Sequence, residues 1–291
     1  MSGMKKFAAL FAGLLLAAPA AARTVSPSLW HIKGSQGEVY LLGSVHILPP
    51  DVQWRSPAIK AATARSDVFV FEVPQNAKAV QKLQSLVAAN GSLPQGISLR
   101  ASLHPEVRGD FDTAVAASGL QPAAIDHERP WLAGLQLMFT QIAQKGFDRD
   151  NGVDTQLLAE ANKAGKQTRY LETVEQQFAL LAPDDRKLEL EEFESGLKDL
   201  RDVSAEVQPM VDAWGAGDQE KLGVLVNGDL DEFPAARKAL LEDRNARWAP
   251  QIEAMLGEKH TFFVTVGAGH LIGPQGVPAL LRKAGYKVEG P

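Results

Sequence analysis

Val39-Tyr40-Leu41-Leu42-Gly43-Ser44-Val45-His46 decides how this chain reads. An apolar run of strand length meets glycine, then two small or apolar residues, then histidine. The same grammar returns near the other end of the chain as Phe262-Phe263-Val264-Thr265-Val266-Gly267-Ala268-Gly269-His270. Continuous apolar runs of this length suit strands of a sheet covered on both faces. Glycine lets the backbone turn sharply and approach a ligand closely. Histidine is the commonest metal ligand and proton carrier near neutral pH. With these two phrases as anchors, residues 38–42, 67–73, 167–171 and 260–266 read as buried strands, with a short final strand over 286–289.

Helical patterns lie between them. Ser56-Pro57 caps and opens a helix to about residue 65. Residues 130–145 form a mostly buried helix, and 154–164 a helix closed by Gly165. Thr173-Val174-Glu175-Gln176 fits a capping box. Residues 184–202 read as an acidic, solvated helix face, 234–256 as one long helix, and 275–284 as a short one. Strand–helix–strand order at both ends predicts an α/β fold: a mainly parallel central sheet flanked by helices. Residues 75–260 are then a largely helical insertion that caps the sheet, within one unit spanning 23–291.

Residues 1–22 read as an export signal: lysines first, then an apolar stretch, then Ala20-Ala21-Ala22 as a cleavage site. The apolar stretch is too short for a stable membrane span. The expected location is the bacterial periplasm or the medium beyond it. The chain has no cysteine, which excludes disulfides and thiolate metal sites. A net charge of −5, with no basic cluster, gives no electrostatic case for nucleic acid.

Each predicted strand ends at a polar residue: His46, Glu72, Glu172 and His270. In open parallel sheets, ligands bind beyond the carboxyl ends of the strands. Two histidines and one carboxylate make a standard set for a divalent metal with an open position. His46, Glu72 and His270 are therefore the expected metal ligands, for an ion such as Zn, Mn or Co. Such an ion lowers the pKa of bound water to about 7. Glu172 is then the expected proton shuttle. Arg244-Asn245, inside the long helix, can bind an oxyanion or carboxylate, although an exposed Arg244 paired to Glu242 or Asp243 fits the sequence as well. No H-E-x-x-H and no G-x-S-x-G motif occurs. His31, His104, His127 and His260 lack a paired context and read as structural.

These phrases resemble the TraB/PrgY/GumN family. The resemblance runs from Trp30-His31-Ile32 and Val39–Pro49 through Phe71-Glu72-Val73, Asn151-Gly152-Val153-Asp154, Leu171-Glu172-Thr173 and Arg244-Asn245. It ends with Val266–Leu271 and Gly285–Val288. It implies kinship with Tiki-type metalloproteases and, more distantly, with erythromycin-esterase-like and ChaN-like folds. It also implies that His46, Glu72 and His270 are the metal or catalytic set, and it promotes Glu172, Arg244 and Asn245 to site residues. Unlike the Tiki members, this chain is expected to lack a C-terminal membrane anchor. The function expected is an exported metal-dependent hydrolase, acting on a peptide or small-molecule substrate. The alternative is a non-catalytic periplasmic protein that binds a peptide, a pheromone or a haem-like ligand, or that assists envelope polysaccharide assembly.

Overall fold

The computed structural model describes residues 22–198, 200, 203–231 and 233–291. The expected leader lies, apart from Ala22, outside the described residues. Among these residues the strands are β1 Arg23–Thr24, β2 Leu29–Lys33, β3 Glu38–Ser44, β4 Val52–Gln53, β5 Val68–Phe71, β6 Gln167–Tyr170, β7 Thr261–Gly267 and β8 Val288–Glu289. β1 and β4 form a short parallel pair, and the others one sheet in the order β6-β5-β7-β3-β2-β8. β6, β5, β7 and β3 run parallel. These four are the strands read from the apolar runs, so the sheet is mainly parallel, as expected. β2 and β8 extend one edge in antiparallel fashion. β2 escapes the sequence reading because polar His31 and Lys33 alternate with buried Trp30 and Ile32, which breaks any continuous apolar run.

Side chains alternate across the pleat, so each strand feeds two cores. On one face Leu42, Phe69, Phe71 and Phe263 pack against Ile59 of helix Pro57–Arg65 and Leu157 of helix Val153–Lys163. On the other face Val39, Leu41, Val70 and Val264 pack against Trp248 and Ile252 of helix Asp243–Met255 and Leu281 of helix Val277–Lys283. Burying each such side chain contributes about 1.5–3 kcal/mol. β5 (VFVF) is buried along its whole length, as a strand with neighbours on both sides and both faces must be.

The stretch between β5 and β7 is largely helical and carries its own apolar cluster, including Phe111, Leu137 and Phe193. Two expectations need correction here. Residues 184–202 are not merely a solvated face, because helix Arg186–Gly196 buries Phe193 and also Glu189, which pairs at 2.7 Å with buried Arg129. Residues 234–256 are not one uniform helix. A helical turn Pro234–Arg237 passes into a π-helical segment Lys238–Glu242 before helix Asp243–Met255 begins. Such π insertions shift the register of everything that follows them, and the first residues they re-aim are Arg244 and Asn245. No helix among the described residues is long and apolar enough to cross a membrane.

Candidate active site

β3, β5, β6 and β7 all end at the same edge of the sheet, and the four polar residues that follow them gather there with Arg244. They divide into a group that faces a cavity and a group buried behind it.

The cavity-facing group is built around His46. Its Nδ1–H donates to Asp154 Oδ1 (3.0 Å), and the Ser44 hydroxyl donates to the same oxygen (2.7 Å). Gln75 Nε2 donates to the other Asp154 oxygen at 3.2 Å. Asp154 is delivered by Asn151-Gly152-Val153-Asp154. Val153 N–H donates to the Val45 carbonyl at 3.1 Å, and Gly152 runs against His46 so closely that a Cβ there would lie 2.2 Å from the His46 carbonyl oxygen. Sequence reasoning missed Asp154 as a functional residue, although the phrase that holds it is family-like. The signal that could have found it is a carboxylate opening a helix, close behind a glycine.

Burial works to lower the His46 pKa, but the Asp154 hydrogen bond and the charges of Asp154 and Glu72 outweigh it, so the net shift is upward. The ring sits deep in a concave wall yet remains 57% exposed to the cavity, so solvent moderates that shift. The Asp154 carboxyl, hydrogen-bonded to His46 and Ser44, is held down to about 2 even though burial opposes this. With Nδ1 turned to Asp154, Nε2 is the free ring nitrogen. It lies near Glu72: His46 Nε2 and Glu72 Oε1 sit 3.5 and 3.3 Å from where a Cβ on Gly267 would be. Any side chain at Gly267 would wedge between them.

The buried group is organised by Arg244, whose five N–H bonds all have acceptors. Nε donates to both Glu172 oxygens (3.1 Å each), Nη1 to His270 Nε2 (2.8 Å) and the Leu240 carbonyl (3.3 Å), and Nη2 to Glu72 Oε2 (2.6 Å) and Glu172 Oε2 (3.0 Å). Trp248 lies beneath the guanidinium at 4.6 Å and beside the His270 ring at 4.4 Å. The Glu172 side chain is 1% exposed and also accepts from Arg247 Nη2 at 3.2 Å. Asn245 donates to the Gln275 carbonyl (2.9 Å), so its oxygen is left to accept from His270 Nδ1–H (2.7 Å). That fixes the His270 tautomer and presents its Nε2 lone pair to Arg244. Burial, reinforced by the Arg244 and His46 charges against the pull of Glu72, lowers the His270 pKa to about 3.

Burial would raise the Glu72 carboxyl. His270, Arg244, His46 and the Gly267 N–H (2.6 Å) pull it down, and the net shift is downward. With His270 held neutral, the close cation responsible is Arg244.

The structure thus brings His46, Glu72, His270, Glu172, Arg244 and Asn245 together. It does not present them equally. His46, Glu72 and Asp154 line a cavity of about 810 Å³ together with Gln75, Gln177, Arg149 and Thr265. Glu172, Arg244, Asn245 and His270 are buried and saturated with protein partners. Glu172 as a proton shuttle and Arg244 as an oxyanion clamp would each require those bonds to break. A divalent ion bound by His46, Glu72 and His270 does not fit this arrangement, because the only lone pair His270 can offer points at a guanidinium 2.8 Å away. Among the described residues no three His, Asp or Glu side chains are placed to hold a metal. Thr265, 1% exposed and on the cavity wall, has a hydroxyl with no protein partner. The histidines read as structural behave so where pairs form: His31 bonds Glu38, His104 bonds Glu194, and His260 lies near Asp67.

A family model described as TraB/PrgY/gumN matches residues 28–290. Escherichia coli (strain K12) YbaP is 22% identical over 84% of this chain and 87% of its own. Danio rerio metalloprotease TIKI1 is 26% identical over 93% of this chain but only 65% of its own length, and metalloprotease TIKI2 of the same fish is 26% identical over 47% of this chain. No solved structure matches.

Proposed function

The chain belongs to the TraB/PrgY/gumN family, and from that membership we propose that it is a hydrolase of peptide bonds whose general base is His46. The observation that carries this reading is the Asp154–His46 pair, with its free Nε2 set opposite Glu72 on the wall of a substrate-sized cavity. Asp154 holds the ring in the tautomer whose Nε2 accepts a proton, and stabilises the imidazolium that results. Glu72, kept ionised by Arg244, adds negative charge that raises the basicity of His46 and orients the attacking water. His46 Nε2 takes the water proton as oxygen attacks the carbonyl, then returns it to the leaving amine. The Thr265 hydroxyl is the unengaged donor available to the developing oxyanion. Arg244, Asn245, Glu172 and His270 act from behind by holding Glu72 in place. The resemblance to metalloproteases supports hydrolysis; the donor geometry favours a proton-transfer centre over a three-ligand ion. The export signal read in residues 1–22 supports a site of action outside the cytoplasm, and the wider kinship proposed is with erythromycin-esterase-like folds.

The test is cleavage of a peptide library by purified protein, wild type beside His46→Ala and Asp154→Asn, in chelator-treated buffer and with added Mn, Zn or Co. Turnover in chelator that falls at least about a hundredfold in both variants is expected. Turnover only with added metal would restore the ion-bound set. Peptide binding without cleavage under any condition would make the chain a binding protein.

A further inference from the structure

Every charged side chain on the cavity wall but one has a protein partner. Glu72 bonds Arg244, Asp154 bonds His46, and Asp148 accepts from the Asp150 N–H at 2.8 Å. The exception is Arg149, exposed in the short turn Arg149–Asn151, whose guanidinium makes no hydrogen bond or ion pair with the described residues. Its charge is nonetheless felt at His46, where it opposes protonation. The turn is pinned in place: Leu48 and Asp148 exchange two backbone hydrogen bonds (3.2 and 3.0 Å), and Gly152 abuts His46. Arg149 is therefore a cation mounted on a fixed loop beside the proposed base.

The wall beyond it is apolar. Leu135, Phe139 and Ile142 project from one face of helix Pro130–Gln144 at i, i+4 and i+7, and Leu181 joins them from helix Val174–Leu181. Phe139 is 48% exposed and Leu181 38%, far more than their neighbours in the core. A chain that leaves large apolar groups open inside a cavity is shaped for an apolar occupant.

We propose that the substrate carries a carboxylate that seats on Arg149, next to a bulky apolar side chain that lies on the Leu135–Phe139–Ile142 face. The inference rests on the hydrolase reading above and names its substrate class: an anionic peptide with an apolar residue beside the scissile bond. Guanidinium and carboxylate match as a planar, two-bond pair. The carboxylate is supplied by a free C-terminus or by an acidic side chain.

The test uses three N-acetylated tripeptides with a central phenylalanine: one with a free C-terminus, one amidated, and one amidated but ending in glutamate. Their kcat/KM is measured with the full chain and with Arg149→Gln, and their dissociation constants with His46→Ala. Wild type is expected to favour a carboxylate-bearing peptide over the neutral amide by about 10- to 100-fold, and Arg149→Gln to bring that ratio close to one. Whether the free terminus or the glutamate restores the preference identifies the source of the carboxylate. Equal handling of all three by wild type, or an unchanged ratio in Arg149→Gln, overturns the proposal. If none is cleaved but binding to His46→Ala keeps the preference, the hydrolase reading fails and the carboxylate site stands. Cleavage without preference leaves the hydrolase standing and removes the carboxylate site.

Discussion

Arg244 shows how far one residue's meaning depends on its surroundings. In the sequence it stands beside Glu242 and Asp243, and an exposed ion pair with either is a fair expectation. In the structure it turns inward to Glu72, Glu172 and His270. Two carboxylates share its buried charge, so its removal leaves both uncompensated. Arg244→Gln is expected to destabilise the protein by about 3–5 kcal/mol, read from the urea unfolding midpoint. Arg244→Lys should recover little of this, because an ammonium cannot replace three branches of donors with one point charge. A variant as stable as wild type would show that the cluster is not held by this residue. His46 and Glu72 are legible in the sequence because each closely follows an apolar strand. Asp154 is not, because its role depends on a backbone contact between segments that are distant in sequence.

Among the elements, the site depends on a loop pressed onto a strand end. Gly152 permits that approach, with a Cβ there only 2.2 Å from the His46 carbonyl oxygen. Backbone atoms cannot yield as a flexible side chain does. Gly152→Ala should therefore push helix Val153–Lys163 away, costing about 1–3 kcal/mol, and should separate Asp154 from His46. The check is a thermal melt alongside peptide turnover, with Gly165→Ala as a comparison: no atom lies near a Cβ there, and its positive φ of 64° makes the strain purely local. A larger loss of turnover in Gly165→Ala than in Gly152→Ala would contradict this account. The same reasoning explains the divided helix over residues 234–256. Its periodicity reads as continuous, but the π segment Lys238–Glu242 rotates Arg244 and Asn245 toward the strand ends. Hydrophobic spacing does not report such a local change in turn.

Across the molecule as a whole, the buried cluster ties stability to pH. His270 has a folded pKa of about 3 against an ordinary 6.5. Between those values the unfolded chain binds a proton that the folded chain refuses, so stability falls as pH drops from 6.5 toward 3. The slope approaches about 1.4 kcal/mol per pH unit. His46 has the opposite sign: its raised pKa stabilises the fold, and that contribution is complete below pH 6.5 and fades as pH rises through its folded value. Asp154, depressed from 3.8 to about 2, adds a further loss only in that lower window. Between pH 6.5 and 5, His270 therefore sets the trend. Urea midpoints should fall across that range in wild type and stay nearly flat in His270→Gln; parallel slopes would remove His270 from the account.

The parallel strands, the edge at which they end, and the histidines and carboxylates that follow them are all written in the chain. Apolar period and glycine placement are local properties, and these elements are built from local signals. Which of those groups face a cavity, and which are sealed behind it, is settled by folding alone. That outcome turns on hydrogen-bond partners drawn from the 151–154 loop, the π-distorted helix and the strand ends. The two glycine–histidine phrases are alike in sequence, yet His46 presents a free nitrogen beside Glu72 while His270 has both nitrogens engaged. Chain order carries no information about which lone pairs a fold will satisfy.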